Sequence, residues 1–430
     1  MKNLNALQSR LTRIFQKPMV QGTIWMLIAQ GLRLVLQAMY FIIIARVLGA
    51  EYYGQFVGAT ALVAILSPFA GLGSDTLLLK NVAKNRGLFK DYWGNALLMI
   101  TITGLGLMVL LILFAPIFLP RTISPLLLFL VALSDLIFTS IIFLSCQAFQ
   151  AVDRLNITAQ ISTLAMLSKV IAAIALLYFF PQPNTIDWAF LYLGSSVVSG
   201  LVAIFFVTYY LGTPKLALYR IKPELTDGFF FAVSASSYTI YNDIDKTMLA
   251  RLSTLEATGI YAAAYRLIDV AFVPVRSITA AAYAHFFREG KDGISQALAL
   301  GKRLVKVAGS YGFIASIGLL LFAPIVPYIL GDEYAGVVEA LRWLAPIPFL
   351  KAIQCFGGDT LSGSGFQSLR SAVQVSIAVL NILLNFWLIP LYSWKGAAWS
   401  SLVCDGLLMI VLWAVVAFLY RKQSSKYQGG

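Results

Sequence analysis

The chain has 430 residues, 59% hydrophobic and only 12% charged, against about 45–50% and 25% in soluble domains, and its mean hydropathy is +0.81. That excludes a soluble enzyme, a disordered chain and a disulfide-built secreted domain. Thirty-two Lys and Arg against nineteen Asp and Glu give a net charge of +13, which in a membrane protein has to be sorted by side of the bilayer before it speaks of any partner.

In chain order, residues 4–17 place Leu4, Leu7, Leu11 and Ile14 on one helical face, with Arg10, Arg13 and Lys17 elsewhere. This suits a short helix on an anionic membrane surface, and 1–21 is read as a cytoplasmic amphipathic segment. The first apolar run is too long for a signal-peptide core. Twelve helical spans are predicted, near 22–48, 56–74, 92–118, 124–146, 157–180, 187–211, 228–252, 257–285, 303–330, 340–362, 367–390 and 394–420, because a crossing needs roughly 20 apolar residues. Barrel strands would alternate polar and apolar over about ten residues, which these runs do not.

Spans 1–6 form an N-lobe (22–211) and spans 7–12 a C-lobe (228–420), joined by a linker (212–227) with two prolines and followed by a basic tail (421–430). With the N-terminus inside, twenty-one basic residues fall on the inner side and five on the outer. The charge is therefore mostly topology, both termini are expected in the cytoplasm, and no nucleic acid is required. Cys146, Cys355 and Cys404 lie in apolar runs without CxxC spacing, and His285 is the only histidine, so neither a metal site nor a catalytic triad has its components. Trp25, Trp93, Trp188, Trp394 and Trp399 fall near span ends, where an interfacial aromatic belt is expected.

Three echoes join the halves. ARVLGAEYYGQF (45–56) and ARLSTLEATGIY (250–261) share Arg, Glu, Gly and an aromatic at one spacing: Arg46, Glu51, Gly54 and Phe56 against Arg251, Glu256, Gly259 and Tyr261, 205 residues on. LSCQAFQ (144–150) answers LSGSGFQ (361–367), and SSVV (195–198) answers SSLV (400–403). Each pairs span n with span n + 6, as two six-helix lobes of like orientation would, with a substrate path and a central cavity between them.

Several ionisable residues stand at mid-span, where each costs about 2.5–3.5 kcal/mol at a helix centre facing lipid. In span 1, Gln30, Arg33, Gln37 and Tyr40 form one polar stripe, and in span 7 Ser234, Tyr238, Tyr241 and Asp245 form another, widened by Asn242, Asp243 and Lys246. These stripes are expected to line the cavity. Asp243 with Lys246, and Arg266 with Asp269, stand at i, i+3 and could neutralise each other. Arg33, Lys169 and Lys351 have no acid at helical spacing in their own spans. Such cations suit an anion, and Arg in particular the fork of phosphate oxygens. Asp243, Asp245 and Asp405 are the candidates for coupling to H⁺ or Na⁺, a gradient-free or potential-driven cycle being the other option. No catalytic residue and no cofactor is read from the chain. Tyr238, Tyr241, Tyr261 and Tyr265 lie deep enough to stack on sugar faces.

The run IIIARVLGAEYYGQFVGATALVAILSPFAGLGSDTLLLKNVAK (42–84) resembles the opening of bacterial polysaccharide-transport proteins, the O-antigen flippase relatives within the multidrug/oligosaccharidyl-lipid/polysaccharide exporter superfamily. YNDIDKTMLARLSTLEATGIYAAAYRL (241–267) is similar to the same family's seventh and eighth helices. The resemblance implies an all-α inner-membrane flippase of about twelve spans. It would move an undecaprenyl-diphosphate-linked oligosaccharide to the periplasmic face for O-antigen, exopolysaccharide or capsule assembly, with a polysaccharide polymerase and a chain-length regulator as partners. In those terms Arg33, Lys169, Arg266 and Lys351 would meet the diphosphate or acidic sugars. The alternative, a drug/cation antiporter of the same fold, would call for an acid-dominated cavity. An enzyme on lipid-linked sugars would need a large external loop, and every predicted outer connection is about ten residues or fewer.

Overall fold

The computed structural model describes residues 18–428, so most of the amphipathic N-terminal segment lies outside the described residues, as do the side chains of Trp25, Gln30, Ser234 and Tyr238. The described chain is helical, without a strand among those residues, because in lipid a helix satisfies its backbone groups within one segment. The first two predicted spans run as one element, α1 (Pro18–Leu66), broken at Gly49, whose φ of 72° only glycine adopts without strain. There follow α2 (Ser74–Lys84), α3 (Phe89–Phe118), α4 (Pro125–Ala132), a π turn (Leu133–Thr139), α5 (Ser140–Ala151), α6 (Leu155–Phe179) and α7 (Thr185–Leu211). The second half holds α8 (Ile221–Leu252), α9 (Leu255–Ala271), α10 (Val273–Glu289), α11 (Ile294–Phe322), α12 (Val326–Leu330), α13 (Gly336–Leu344), α14 (Ile347–Gly363), α15 (Gln367–Tyr392) and α16 (Trp394–Gln428).

Among the described residues eight helical stretches are long and apolar enough to cross a membrane, and the bent pair α9–α10 makes a ninth. The difference from twelve has physical causes. Spans 1 and 2 share α1. Span 7 corresponds to α8, which carries Asp243, Asp245 and Lys246 in its C-terminal third. The predicted span 10 is divided before Pro346, leaving α14 with 17 residues.

The chain forms two compact units. Unit 1 comprises the described residues up to Leu48 together with Ala59–Thr239, and unit 2 comprises Gly49–Gly58 and the chain from Ile240. In unit 1 the core gathers Leu78 and Val82 of α2, Trp93 and Ile100 of α3, Ile141 and Phe149 of α5, and Val207 of α7. Trp93 and Trp188 are fully buried, so two of the five expected belt tryptophans belong to the interior instead. The stretch read as a linker runs along unit 1. Asn95 exchanges two hydrogen bonds of 2.9 Å with the backbone of Ala217, the Lys215 amide donates to the Lys90 carbonyl at 2.9 Å, and Gly94 leaves room for the Lys215 backbone.

Lipid tails are as apolar as leucine, so helices in a bilayer associate through close packing and buried polar contacts. Both appear at the sequence echoes. In unit 1 Ser134 donates to Ser196 at 2.8 Å, and Ser168 donates to the Ser195 carbonyl at 3.3 Å. In unit 2 the corresponding serines hold Asn381 (Ser400, 3.0 Å) and Tyr261 (Ser401, 3.0 Å).

The shared glycine of the first echo has a steric reason. A Cβ on Gly54 would stand 1.8 Å from the Leu255 carbonyl oxygen, and one on Gly259 would stand 2.0 Å from the Ala50 oxygen. Residues 50 and 255, like 54 and 259, are repeat equivalents, so this crossing inside unit 2 is symmetric: each glycine receives the backbone four residues before the other. Glu333 fixes the same segment by accepting the Ala50 amide at 3.1 Å, which caps the helix resuming after Gly49. Gly54→Ala or Gly259→Ala is expected to lower the yield of folded protein sharply and to cost more than about 2 kcal/mol as an overpacked contact. Gly106→Ala, at a glycine with open space around it, should leave thermal stability in detergent unchanged.

Candidate functional site

Unit 2 gathers its intramembrane charges from four helices. On α8, Tyr241 and Asp245 share a face through their i, i+4 spacing, while Asp243 and Lys246 are neighbours at i, i+3. The Tyr241 hydroxyl donates to Asp405 of α16, which also accepts the Gln354 amide of α14 at 3.5 Å. Tyr261 of α9 donates to Asp245 and shares its hydroxyl with Ser401. Lys351 of α14 donates to the Tyr265 hydroxyl at 2.9 Å. The ammonium groups of Lys246 and Lys351 lie 5.0 and 5.1 Å from the centroid of the Tyr265 ring, within reach of a cation–π attraction to both.

Asp245, Asp405 and Lys351 are each more than nine-tenths buried. Charges in that setting persist only with partners, since an isolated ion pays several kcal/mol of desolvation. Three carboxylates and two ammonium groups share this network. Of the sequence candidates, Tyr241, Asp243, Asp245, Lys351 and Asp405 meet here directly, and Asn242 joins through its carbonyl, 3.4 Å from the Lys246 ammonium.

Of the two expected i, i+3 pairs, Asp243 with Lys246 forms. Asp269 instead takes Arg276 at 2.6 Å, because the helix bends between them. Arg266, half-buried beside Tyr265 in sequence, makes no hydrogen bond or ion pair among the described residues.

Unit 1 holds a smaller network. Asp135 sits in the π turn, a geometry that recurs at functional sites, and there it accepts Tyr192 Oη at 2.8 Å and Thr139 Oγ1 at 3.2 Å. Lys169 donates to Tyr192 at 3.1 Å, its ammonium 4.3 Å from that ring's centroid. Lys169, which has no acid at helical spacing on α6, is thus linked to one on another element through a tyrosine. Tyr40 of α1 and Trp188 extend the aromatic cluster, with ring centroids 5.7 Å apart, and Trp188 lies 5.8 Å from Tyr192. Arg33 is exposed on α1 and makes no hydrogen bond or ion pair among the described residues, and Gln37 is half-buried one turn on.

Sequence spacing passed over Tyr192, Ser401 and the role of Asp135, because each is defined by a partner on another helix and α-helical periodicity reports only neighbours on the same one. Both networks combine a lysine held on a tyrosine hydroxyl with a tyrosine that donates to a carboxylate; in unit 1 Tyr192 does both. Chemically this offers cations that an anion can draw away, and carboxylates that a proton or metal cation can then neutralise.

The sequence model of a family described as "Polysaccharide biosynthesis protein" matches residues 19–288. A candidate O-antigen transporter from Escherichia coli (strain K12) is 22% identical over 410 residues, spanning 90% of this chain and 93% of that protein. Among solved structures, the lipid II flippase MurJ in an inward closed conformation has a TM-score of 0.75 at 12% identity, covering 92% of this chain and 87% of that one. An inward-facing multidrug resistance MATE family transporter of the MOP superfamily has a TM-score of 0.72 at 14% identity, covering 92% and 99%. At these identities the solved structures establish the fold.

A double-mutant cycle tests the unit 1 network. Asp135→Asn or Lys169→Met alone is expected to cost about 1.5–3 kcal/mol by removing a charged hydrogen-bond partner of Tyr192. The double variant should recover most of that loss in detergent unfolding. Simple additivity of the two single effects would show that Tyr192 does not couple them.

Proposed function

Because the chain belongs to the polysaccharide biosynthesis protein family, we propose that it is a flippase for undecaprenyl-diphosphate-linked oligosaccharide repeat units. It works across the bacterial inner membrane, with both termini cytoplasmic, and serves surface-polysaccharide assembly. The observation that carries the reading is the state of the cations. Arg266 and Arg33 have no acidic partner among the described residues, and Lys351 is engaged by a phenol. A diphosphate offers several oxygens in the geometry that guanidinium groups bind best, while the half-buried Tyr40 and Tyr241 supply flat faces suited to sugar rings.

In this reading Arg33, Lys169, Arg266 and Lys351 contact the diphosphate or acidic sugars, and Gln30, Gln37, Tyr238, Tyr241 and Asn242 supply polar lining. Asp243, Asp245 and Asp405 are the groups that would take up H⁺ or Na⁺ when Lys246 and Lys351 turn to an anionic substrate, which would link coupling to binding by charge balance. The likeness to a candidate O-antigen transporter and to a lipid II flippase supports this reading. The drug/cation antiporter alternative is supported less, since guanidinium groups without acidic partners repel cationic drugs. Export to a polymerase with its chain-length regulator would follow on the far face.

Depleting the protein in its source bacterium is expected to accumulate complete lipid-linked repeat units on the cytoplasmic face and to abolish surface polysaccharide. Continued arrival of the units at the periplasmic face, together with new sensitivity to cationic drugs, would replace this reading with the antiporter. Arg266→Gln and Arg33→Ala should each lower flipping in proteoliposomes by about tenfold or more at normal folded yield. That is the scale of losing a charge-assisted hydrogen bond worth about 1.5–3 kcal/mol. Arg266→Lys should recover only part of it.

A further inference from the structure

Span 8 is broken in the middle. α9 ends at Ala271, α10 begins at Val273 with Pro274 in its first turn, and the two axes differ by 48°. Pro274 has no amide hydrogen for the Val270 carbonyl, which weakens the backbone at this point. Two contacts hold the break from outside the backbone. Tyr311 of α11 donates its hydroxyl to the Ala271 carbonyl at 3.0 Å, and Arg276 binds Asp269 at 2.6 Å while lying 5.6 Å from the centroid of the Phe272 ring.

The ion pair is informative because of its spacing. In a straight helix residues i and i+7 stand on nearly the same face but about 10.5 Å apart along the axis. A bend toward the pair shortens that separation, and i+7 lies beyond the i, i+3 and i, i+4 spacings at which side chains of a straight helix are neighbours. The pair is also accessible: the Arg276 side chain is 52% exposed and that of Asp269 36%. Its neighbour Arg266, which would complete an ordinary i, i+3 pair with Asp269, does not take that place.

We propose that Arg276 and Asp269 form a latch that keeps span 8 bent, and that an anionic phosphate group opens it by drawing Arg276 off Asp269. What opens the latch rests on the diphosphate reading above; the latch itself rests on the geometry alone. Once Arg276 turns to phosphate, Asp269 is free to pair with Arg266 along α9, and the hinge at Phe272 is held only by Tyr311. Occupancy by substrate is in this way written into the shape of one helix of unit 2. The break also explains why this span carries a proline, an arginine and an aspartate within six residues of its midpoint.

The test is the distance between spin labels at positions 256 and 289, both exposed and at opposite ends of the span. They are introduced as cysteines into full-length protein lacking Cys146, Cys355 and Cys404 and reconstituted in lipid nanodiscs. From 1.5 Å of rise per residue, removing the bend lengthens this distance by up to about 4 Å. Asp269→Asn and, independently, Tyr311→Phe are expected to shift the distribution to longer distances without any addition, whereas Arg276→Lys keeps the short distance. Saturating inorganic pyrophosphate should produce the same lengthening in the parent protein and none beyond it in Asp269→Asn. An Asp269→Asn protein that folds and keeps the parent distance overturns the latch. Lengthening in Asp269→Asn with a parent protein indifferent to pyrophosphate upholds the latch and overturns phosphate as the group that opens it.

Discussion

A charge placed in hydrocarbon has to be matched by the protein itself, and the arrangement of this molecule follows from that constraint. Each intramembrane ion costs a few kcal/mol, a sizeable fraction of the stability of a whole domain. The chain therefore either pairs its charges or leaves them without an acidic partner among the described residues. Lys246 with Asp243 and Arg276 with Asp269 belong to the first kind. Arg266 and Arg33 belong to the second. Lys169 and Lys351 are intermediate, resting on tyrosine hydroxyls that share their charge without cancelling it. Tyrosine suits that position because its hydroxyl accepts from an ammonium and donates to a carboxylate at once, as Tyr192 does between Lys169 and Asp135.

The same solvent sets the terms of packing. Without a hydrophobic drive between helices, close approach has to be built from small residues, and the glycine and serine pairs that recur between the halves are those places. Gly54 and Gly259 admit each other's backbone. Ser196 and Ser401 tie α7 and α16 to their neighbours. The repeats keep the residues that let helices touch more faithfully than the charged groups, and so the two networks differ in detail while their surroundings correspond.

Much of the candidate site could be anticipated from spacing on single helices. The stripe on α8 and the Asp243–Lys246 pair follow from i, i+3 and i, i+4 neighbours in a continuous helix. Where continuity fails, so does the inference: Arg266 and Asp269 are spaced to pair, yet the bend after Ala271 brings Arg276 to Asp269 instead. Partners supplied by another helix leave no trace in spacing either, which is why Tyr192 beside Lys169 and Ser401 beside Tyr261 emerge only with the fold. Trp93 and Trp188 show the same limit, since nearness to a span end in sequence does not say whether an indole faces headgroups or the packed interior.

The sequence by itself determined that this is a helical membrane protein of two related halves, because composition, run length and duplication are local or additive properties that survive without coordinates. It also determined which helices carry charge, since a buried ion in an apolar run is visible wherever it stands. Tertiary structure alone decided which charges pair and which have no acidic partner among the described residues. It also decided that Gly49–Gly58 packs with the second half of the chain, and that span 8 bends. Those outcomes depend on the distance between groups on different helices or across a break, and distance between elements is a property of packing.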